Sequence, residues 1–232
     1  MARLRITRLG HGGVLYHSPG DKWLWVDRWS GAPNYAEPPG AGVDVVAPTH
    51  GHFDHVGIQA TDVADLAAAG GTVVGSHEMQ IYLASLGVDA IGMNKGGRVE
   101  VAGIGLNMVH ADHTGGVTIP GDPEATREVG CWGWVIEFED GTCVYHTGDT
   151  ALFGDMALVK DRWAPRITVL PIGGHFTMGP ADAAKALALI GAQVAIPVHY
   201  ATFPVLTGTP ADLAAATNAT VVALEPGETW EA

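Results

Sequence analysis

One run of seven residues constrains this chain more than any other: Thr49-His50-Gly51-His52-Phe53-Asp54-His55, which follows directly on the apolar residues 43–48. A short apolar run of that kind reads as a buried strand, so the polar cluster begins where a strand ends. His50, His52, Asp54 and His55 place four ligand-type side chains within six residues. Imidazole nitrogen and carboxylate oxygen suit Zn²⁺ and neighbouring first-row ions. His50 and His52, two apart in an extended stretch, converge on one ion; Asp54 and His55, after the chain turns, face a second. Gly51 lets the backbone fold tightly between them. A packed loop seldom concentrates three histidines without a cation to satisfy them.

The remaining candidate ligands repeat this placement. His113 follows a strand predicted over 106–109, Asp149 one over 142–145, His175 one over 167–171 and His199 one over 194–198. Loops at one edge of a sheet meet in space, which is where sites on rigid scaffolds are built. The rest of the chain supplies the scaffold. Short runs at 4–7, 13–17 and 23–26, split by Gly, Pro and Asp, predict an antiparallel meander. Helices are expected over 62–69, ended by Gly70-Gly71, and over 78–86, closed by Gly87. Residues 132–138 and 142–145 form a hairpin at Glu139-Asp140-Gly141, with a further strand at 99–101. Pro180 at N1 and Gly191 at C′ bound a helix over 180–190, and a short helix over 212–217 precedes a strand at 221–224. Strands with helices packed outside them predict an α/β fold of two sheets back to back, covered on both outer faces. With no linker, charge block or repeat, residues 1–232 are expected to form one domain.

Composition narrows the partners. Twenty-five acidic against 12 basic residues give a net charge of −13. With no Lys/Arg run, such a chain repels phosphate backbones and anionic membrane surfaces. No stretch nears the roughly 20 apolar residues of a spanning helix, and no signal-type apolar segment follows Met1 to Arg8, so the expectation is a cytoplasmic protein without a membrane span. Cys131 and Cys143 are read as free thiols. A small-molecule substrate fits this balance, and a homo-oligomer is compatible with it.

The motif series His50-x-His52-x-Asp54-His55, His113-Thr114-Gly115-Gly116, Thr147-Gly148-Asp149-Thr150 and Pro197-Val198-His199-Tyr200 resembles the metallo-β-lactamase superfamily in order and spacing. More narrowly, 145–150, 152–156, 171–180 and 199–204 resemble the UPF0173-type metal-dependent hydrolases. The resemblance implies an αββα sandwich of two mixed sheets with a binuclear site at one edge. It makes His50, His52 and His113 ligands of a first divalent ion and Asp54, His55 and His199 ligands of a second, with Asp149 bridging. His110 competes with His113, but the Thr-Gly-Gly after His113 matches the motif. Zn²⁺ suits the set best, although Mn and Fe also bind imidazole.

Two such ions, roughly 3.5 to 4 Å apart, would share a hydroxide as nucleophile, with Asp54 or a nearby His moving the proton. The expected reaction is hydrolysis of a lactone, thioester or phosphodiester. The alternative is a metal-dependent redox enzyme or dioxygenase on the same fold, one di-iron type of which has a carboxylate where His52 stands. His175, in a Gly-Gly-His loop before a helix, is expected to contact substrate; His11 and His146 to support ligands; Trp132 to wall the pocket. His17 and His77 are read as surface or satisfied interior groups. The Pro- and Gly-rich residues 117–130 are read as a loop, either a lid or a plain surface insertion.

Overall fold

The computed structural model describes residues 2–232. Two seven-stranded sheets form its centre. The first runs, edge to edge, Thr229–Glu231, Arg5–Gly10, Gly13–His17, Trp23–Val26, Val45–Val46, Thr72–Ser76 and Ala90–Met93. The second runs Thr220–Val221, Val194–Val198, Ile167–Pro171, Cys143–His146, Trp132–Glu137, Ile104–His110 and Arg98–Val101. Each is antiparallel in one half and parallel in the other. This is the α/β architecture of two mixed sheets that the sequence predicts.

Alternation along the strands explains the layering. In Trp132–Glu137, Trp132, Trp134 and Ile136 enter the main core while Val135 enters a second one. The same division separates Val169 from Leu170 and Ile196 from Ala195. A strand buried on both faces must be apolar throughout, so Ile167–Pro171 shows no polar period. The second core is completed by Met156 and Val159 of the helix Met156–Trp163, by Ala183, Ala186, Leu187 and Ile190 of Pro180–Ile190, and by Leu213 of Pro210–Ala216. On the first sheet, His77–Ser85 and Thr61–Ala68 pack against the Thr72–Ser76 and Val45–Val46 strands.

Several elements differ from the sequence expectation. The 43–48 run contributes only the two-residue strand Val45–Val46, because the backbone bends into the ligand loop. Residues 117–130 are not an irregular loop: Gly116–Ile119 pairs antiparallel with Asp122–Glu128. The Tyr82 hydroxyl donates to the Thr118 carbonyl (2.9 Å) and ties this hairpin to the helix His77–Ser85. Met156–Trp163, Ala90–Met93 and Thr229–Glu231 are elements the sequence reading did not identify.

Strand direction positions the site. Arg5–Gly10, Trp23–Val26 and Val45–Val46 all point one way in the first sheet; Ile104–His110, Cys143–His146, Ile167–Pro171 and Val194–Val198 do so in the second. Each is followed by a residue discussed below, which is the general place for ligands in open α/β sheets.

Candidate metal centre

The 49–55 segment turns after His52 as its sequence suggests, but its first half is bent and not extended throughout. Thr49 and His50 form a bend, His52 is extended, and Phe53–Val56 is a single helical turn with His52 at its N-cap. His50 Nε2 and His52 Nδ1 come within 3.0 Å of each other. With His113 they offer donor atoms all within 4.8 Å of one another. The turn carries Asp54 and His55 to the other side, where they gather with His11 and His199 in a second such group.

Asp149 stands between the two groups. Its Oδ2 lies 3.0 Å from His199 Nε2, 3.3 Å from His55 Nε2, 3.7 Å from His113 Nε2 and 4.0 Å from His50 Nε2. The Cys131 thiol donates to the Asp149 carbonyl (3.4 Å), and the Asp112 amide donates to Thr150 Oγ1, which pins the loop on both sides.

Backbone approach sets the closeness of these groups. A Cβ on Gly12 would stand 2.6 Å from His55 Cε1, so the 10–13 turn abuts that ring. One on Gly173 would stand 2.2 Å from the His199 carbonyl. His199 itself has φ +55° and its amide donates to the His11 carbonyl (2.8 Å), which fixes a conformation that costs an L-residue about 1 kcal/mol.

The electrostatics prepare a cation site. Burial holds His50, His52 and His113 below the ordinary imidazole range, so they present unprotonated nitrogen. Burial likewise pushes His11 down to about 4. Burial alone would raise Asp149 and Asp54. His55 and His199 outweigh it at Asp149, and His11 and His55 at Asp54, so both carboxyls stay ionised well below their usual range. For His55, burial works against charge, yet Asp149 and Asp27 on either side hold its proton well above the ordinary value. One buried and one half-buried carboxylate thus demand positive charge at this point, and a divalent ion meets that demand more strongly than one proton. His55 Nε2 is buried and lies out of hydrogen-bond alignment, a donor atom without a partner. Unprotonated imidazoles, ionised carboxylates and an orphaned nitrogen are what a transition-metal ion takes, so the residues fit metal.

Asp27 is the residue that sequence reading missed. Its Oδ2 accepts from His55 Nδ1 (2.8 Å) and Thr49 Oγ1 (2.7 Å), and its Oδ1 accepts from the Thr49 amide (2.7 Å). Although it groups with His50 and His55, both oxygens are already engaged, so it orients His55 and does not face the centre. Its position after Trp23–Val26 was the available signal: that strand, like the others, ends at the site edge.

The other sequence candidates scatter. His11 does reach the site, with Nε2 3.1 Å from Asp54 Oδ2. His110 ends its strand exposed, edge-on to Phe153, outside the cluster that contains His113. His146 is buried and bonds the Tyr16 hydroxyl (2.9 Å), not Asp149. Trp132 does not wall the pocket: it is 1% exposed and packs against Trp134 in the main core, because position 132 has the inward face of its strand. His175 does not line the cavity either. Left-handed backbone at Gly174 and His175 turns the chain sharply, leaving His175 exposed and placing Phe176 in the cavity wall. His17 stacks on Trp23 and His77 is exposed beside Gln80, both away from the cluster.

A cavity of about 510 Å³ opens onto the centre, with His52, Asp54, His113, Asp149 and His199 at its floor and Phe53, Phe176, Phe203 and Val205 on its walls.

Comparison with known proteins agrees with this geometry. Residues 23–200 match the model of the β-lactamase superfamily domain. A UPF0173 metal-dependent hydrolase of Roseiflexus castenholzii is 42% identical, over 96% of this chain and 95% of its own length. One of Methanosarcina mazei is 40% identical, over 98% of each. Among solved structures, Igni18, a metallo hydrolase of Ignicoccus hospitalis, superposes with a TM-score of 0.85 at 28% identity, covering 100% of this chain and 99% of that one. The fold is therefore that of the metallo-β-lactamases, and the chain belongs to the β-lactamase superfamily and, within it, to the UPF0173 metal-dependent hydrolases.

Proposed function

We propose that the centre holds two divalent ions, most simply Zn²⁺, and hydrolyses an ester-type bond of a small molecule. His50, His52 and His113 would hold one ion and Asp54, His55 and His199 the other, with Asp149 shared between them. The observation that carries this reading is the single oxygen Asp149 Oδ2, within 4.0 Å of imidazole nitrogens drawn from both groups. When bound, such ions polarise the scissile oxygen and bring the pKa of water toward 7.

The chain's own residues do the rest. Asp54 lines the cavity, is kept ionised by His11 and His55, and is placed to take a proton from the attacking water and return it to the leaving group. His11 holds Asp54 through Oδ2, and Asp27 holds His55 through Nδ1, so neither side chain needs to reorganise during turnover. No serine or cysteine nucleophile is required: Cys131 is buried behind Asp149, and burial keeps its thiol well above the ordinary range.

Protein purified without chelator should carry close to two transition-metal ions per chain by elemental analysis. Screening lactones, thioesters and phosphodiesters should then find turnover that chelation abolishes and metal restores. Metal-free protein with undiminished activity would end the reading. Because the imidazole set includes His52, an oxygen electrode with candidate thiols should record no oxygen uptake, and uptake would favour a dioxygenase instead.

A further inference from the structure

The walls of the cavity carry information beyond its floor. Phe53, Phe176 and Val205 are 44%, 54% and 43% exposed, and all three border this one cavity. Behind them the aromatic surface is continuous. Trp29 stacks on Phe203 (centroids 5.8 Å, 30°), meets Phe53 edge-on (5.5 Å) and meets His11 edge-on (5.4 Å). The wall therefore runs from the residue that holds Asp54 out to solvent. Exposed aromatic side chains gathered around a polar floor mark a place that apolar matter covers.

Charge selects further. Among the described residues, no lysine or arginine lines the cavity. Arg28, next to Trp29 in the chain, is engaged by Tyr35, Glu37 and Asp62. Arg8 is buried against Tyr200 and the Leu224 carbonyl. Among the described residues, the charged side chains on the floor besides imidazole are Asp54 and Asp149. Beyond the one anionic group that the proposed ions would meet on the floor, a nucleotide-bearing phosphodiester or thioester would bring further anionic groups past walls that give them no partner, and would lose hydration on aromatic faces.

Building on the hydrolase reading above, we infer that the substrate is an uncharged carboxylic ester or lactone bearing an aliphatic or aryl group, which Phe53, Phe176, Phe203 and Val205, backed by Trp29, hold while its carbonyl reaches the floor.

The test is a calorimetric series on metal-loaded protein with butano-, hexano- and octanohydroxamic acid, whose head groups chelate metal and whose chains differ only in length. Affinity should rise about two- to fourfold per added methylene. The monohydroxamate of octanedioic acid, which ends the same chain in a carboxylate, should lose most of that gain. Phe176→Ala and Phe203→Ala should each flatten the dependence on length while metal content stays at the wild-type value. Equal affinity along the series, equal or better binding of the carboxylate-ended probe, or no binding to loaded protein would overturn the inference. Those outcomes leave the hydrolase reading in place, since it rests on metal content and chelator-sensitive turnover.

Discussion

Asp27 and His55 form a buried carboxylate–imidazole pair, Oδ2 to Nδ1 at 2.8 Å, both side chains 1% exposed. The pair aims His55 Nε2 at Asp149 and, through Thr49, ties the end of one strand to the start of the ligand loop. An outer partner of this kind sets the tautomer and basicity of a ligand, and its loss typically weakens metal binding about 10- to 100-fold. Asp27→Asn keeps the size of the side chain and removes its charge. Competition against a chromophoric chelator should show a weakening of that order at one ion, with the other retained. Affinity equal to the wild type would remove Asp27 from the centre.

Asp149 is the point on which both groups converge, so its replacement should do more than loss of an outer partner does. In Asp149→Asn the amide keeps the shape but supplies no charge to balance two cations. Turnover measured at saturating metal should fall by more than the roughly 100-fold upper range expected for an outer partner, while the far-ultraviolet circular dichroism stays unchanged. Wild-type turnover in this variant would take Asp149 out of the mechanism.

Much of the layout could be read from the chain. Ile167–Pro171, Pro180–Ile190 and Val194–Val198 coincide with their predicted bounds, because Pro and Gly mark their ends and both faces of the two strands are buried. The histidine- and aspartate-bearing motifs were legible because strand ends carry them. What failed was orientation. Whether Trp132 faces the cavity or the core depends on register against its neighbours, which the 2.0-residue period alone leaves open. His175 and Phe176 exchange roles through a single left-handed turn that no local pattern announces. Asp27 acts on His55 across 28 positions of sequence, and a lone Asp after a strand reads as an ordinary turn residue.

His146 should make stability depend on pH. Burial holds its imidazole down at about 4, an effect that Asp27 only partly offsets. The unfolded chain has a His near 6.5 and so binds more protons than the native state between those values. Stability from this group is therefore full above about 6.5 and is lost as pH falls toward 4, by up to about 3 kcal/mol. Urea unfolding of metal-free wild type and His146→Gln from pH 4.5 to 7.5 isolates the effect, since the other histidines titrate in both. The wild type should lose more stability than the variant as pH drops. Parallel curves would show that burial of His146 carries no such cost.

Arg8 and Tyr200 hold the His199 turn from behind. Arg8 Nη1 donates to the Tyr200 hydroxyl and to the Leu224 carbonyl, each at 2.9 Å, and its guanidinium lies over the Tyr200 ring at 4.2 Å from the centroid. Tyr200 is flanked by His199 at φ +55° and Ala201 at φ +60°, so this contact anchors a strained segment. Arg8 is 2% exposed, and its Nε and Nη2 already lack partners. Tyr200→Phe keeps the ring and deletes an acceptor from a buried cation, which should cost about 1–3 kcal/mol by urea denaturation. If the cost comes from the stranded charge, adding Arg8→Met should recover part of it, because an apolar side chain in the same space leaves nothing unpaired. A double variant at least as unstable as Tyr200→Phe would show that the guanidinium stabilises the turn by itself and not through the hydroxyl.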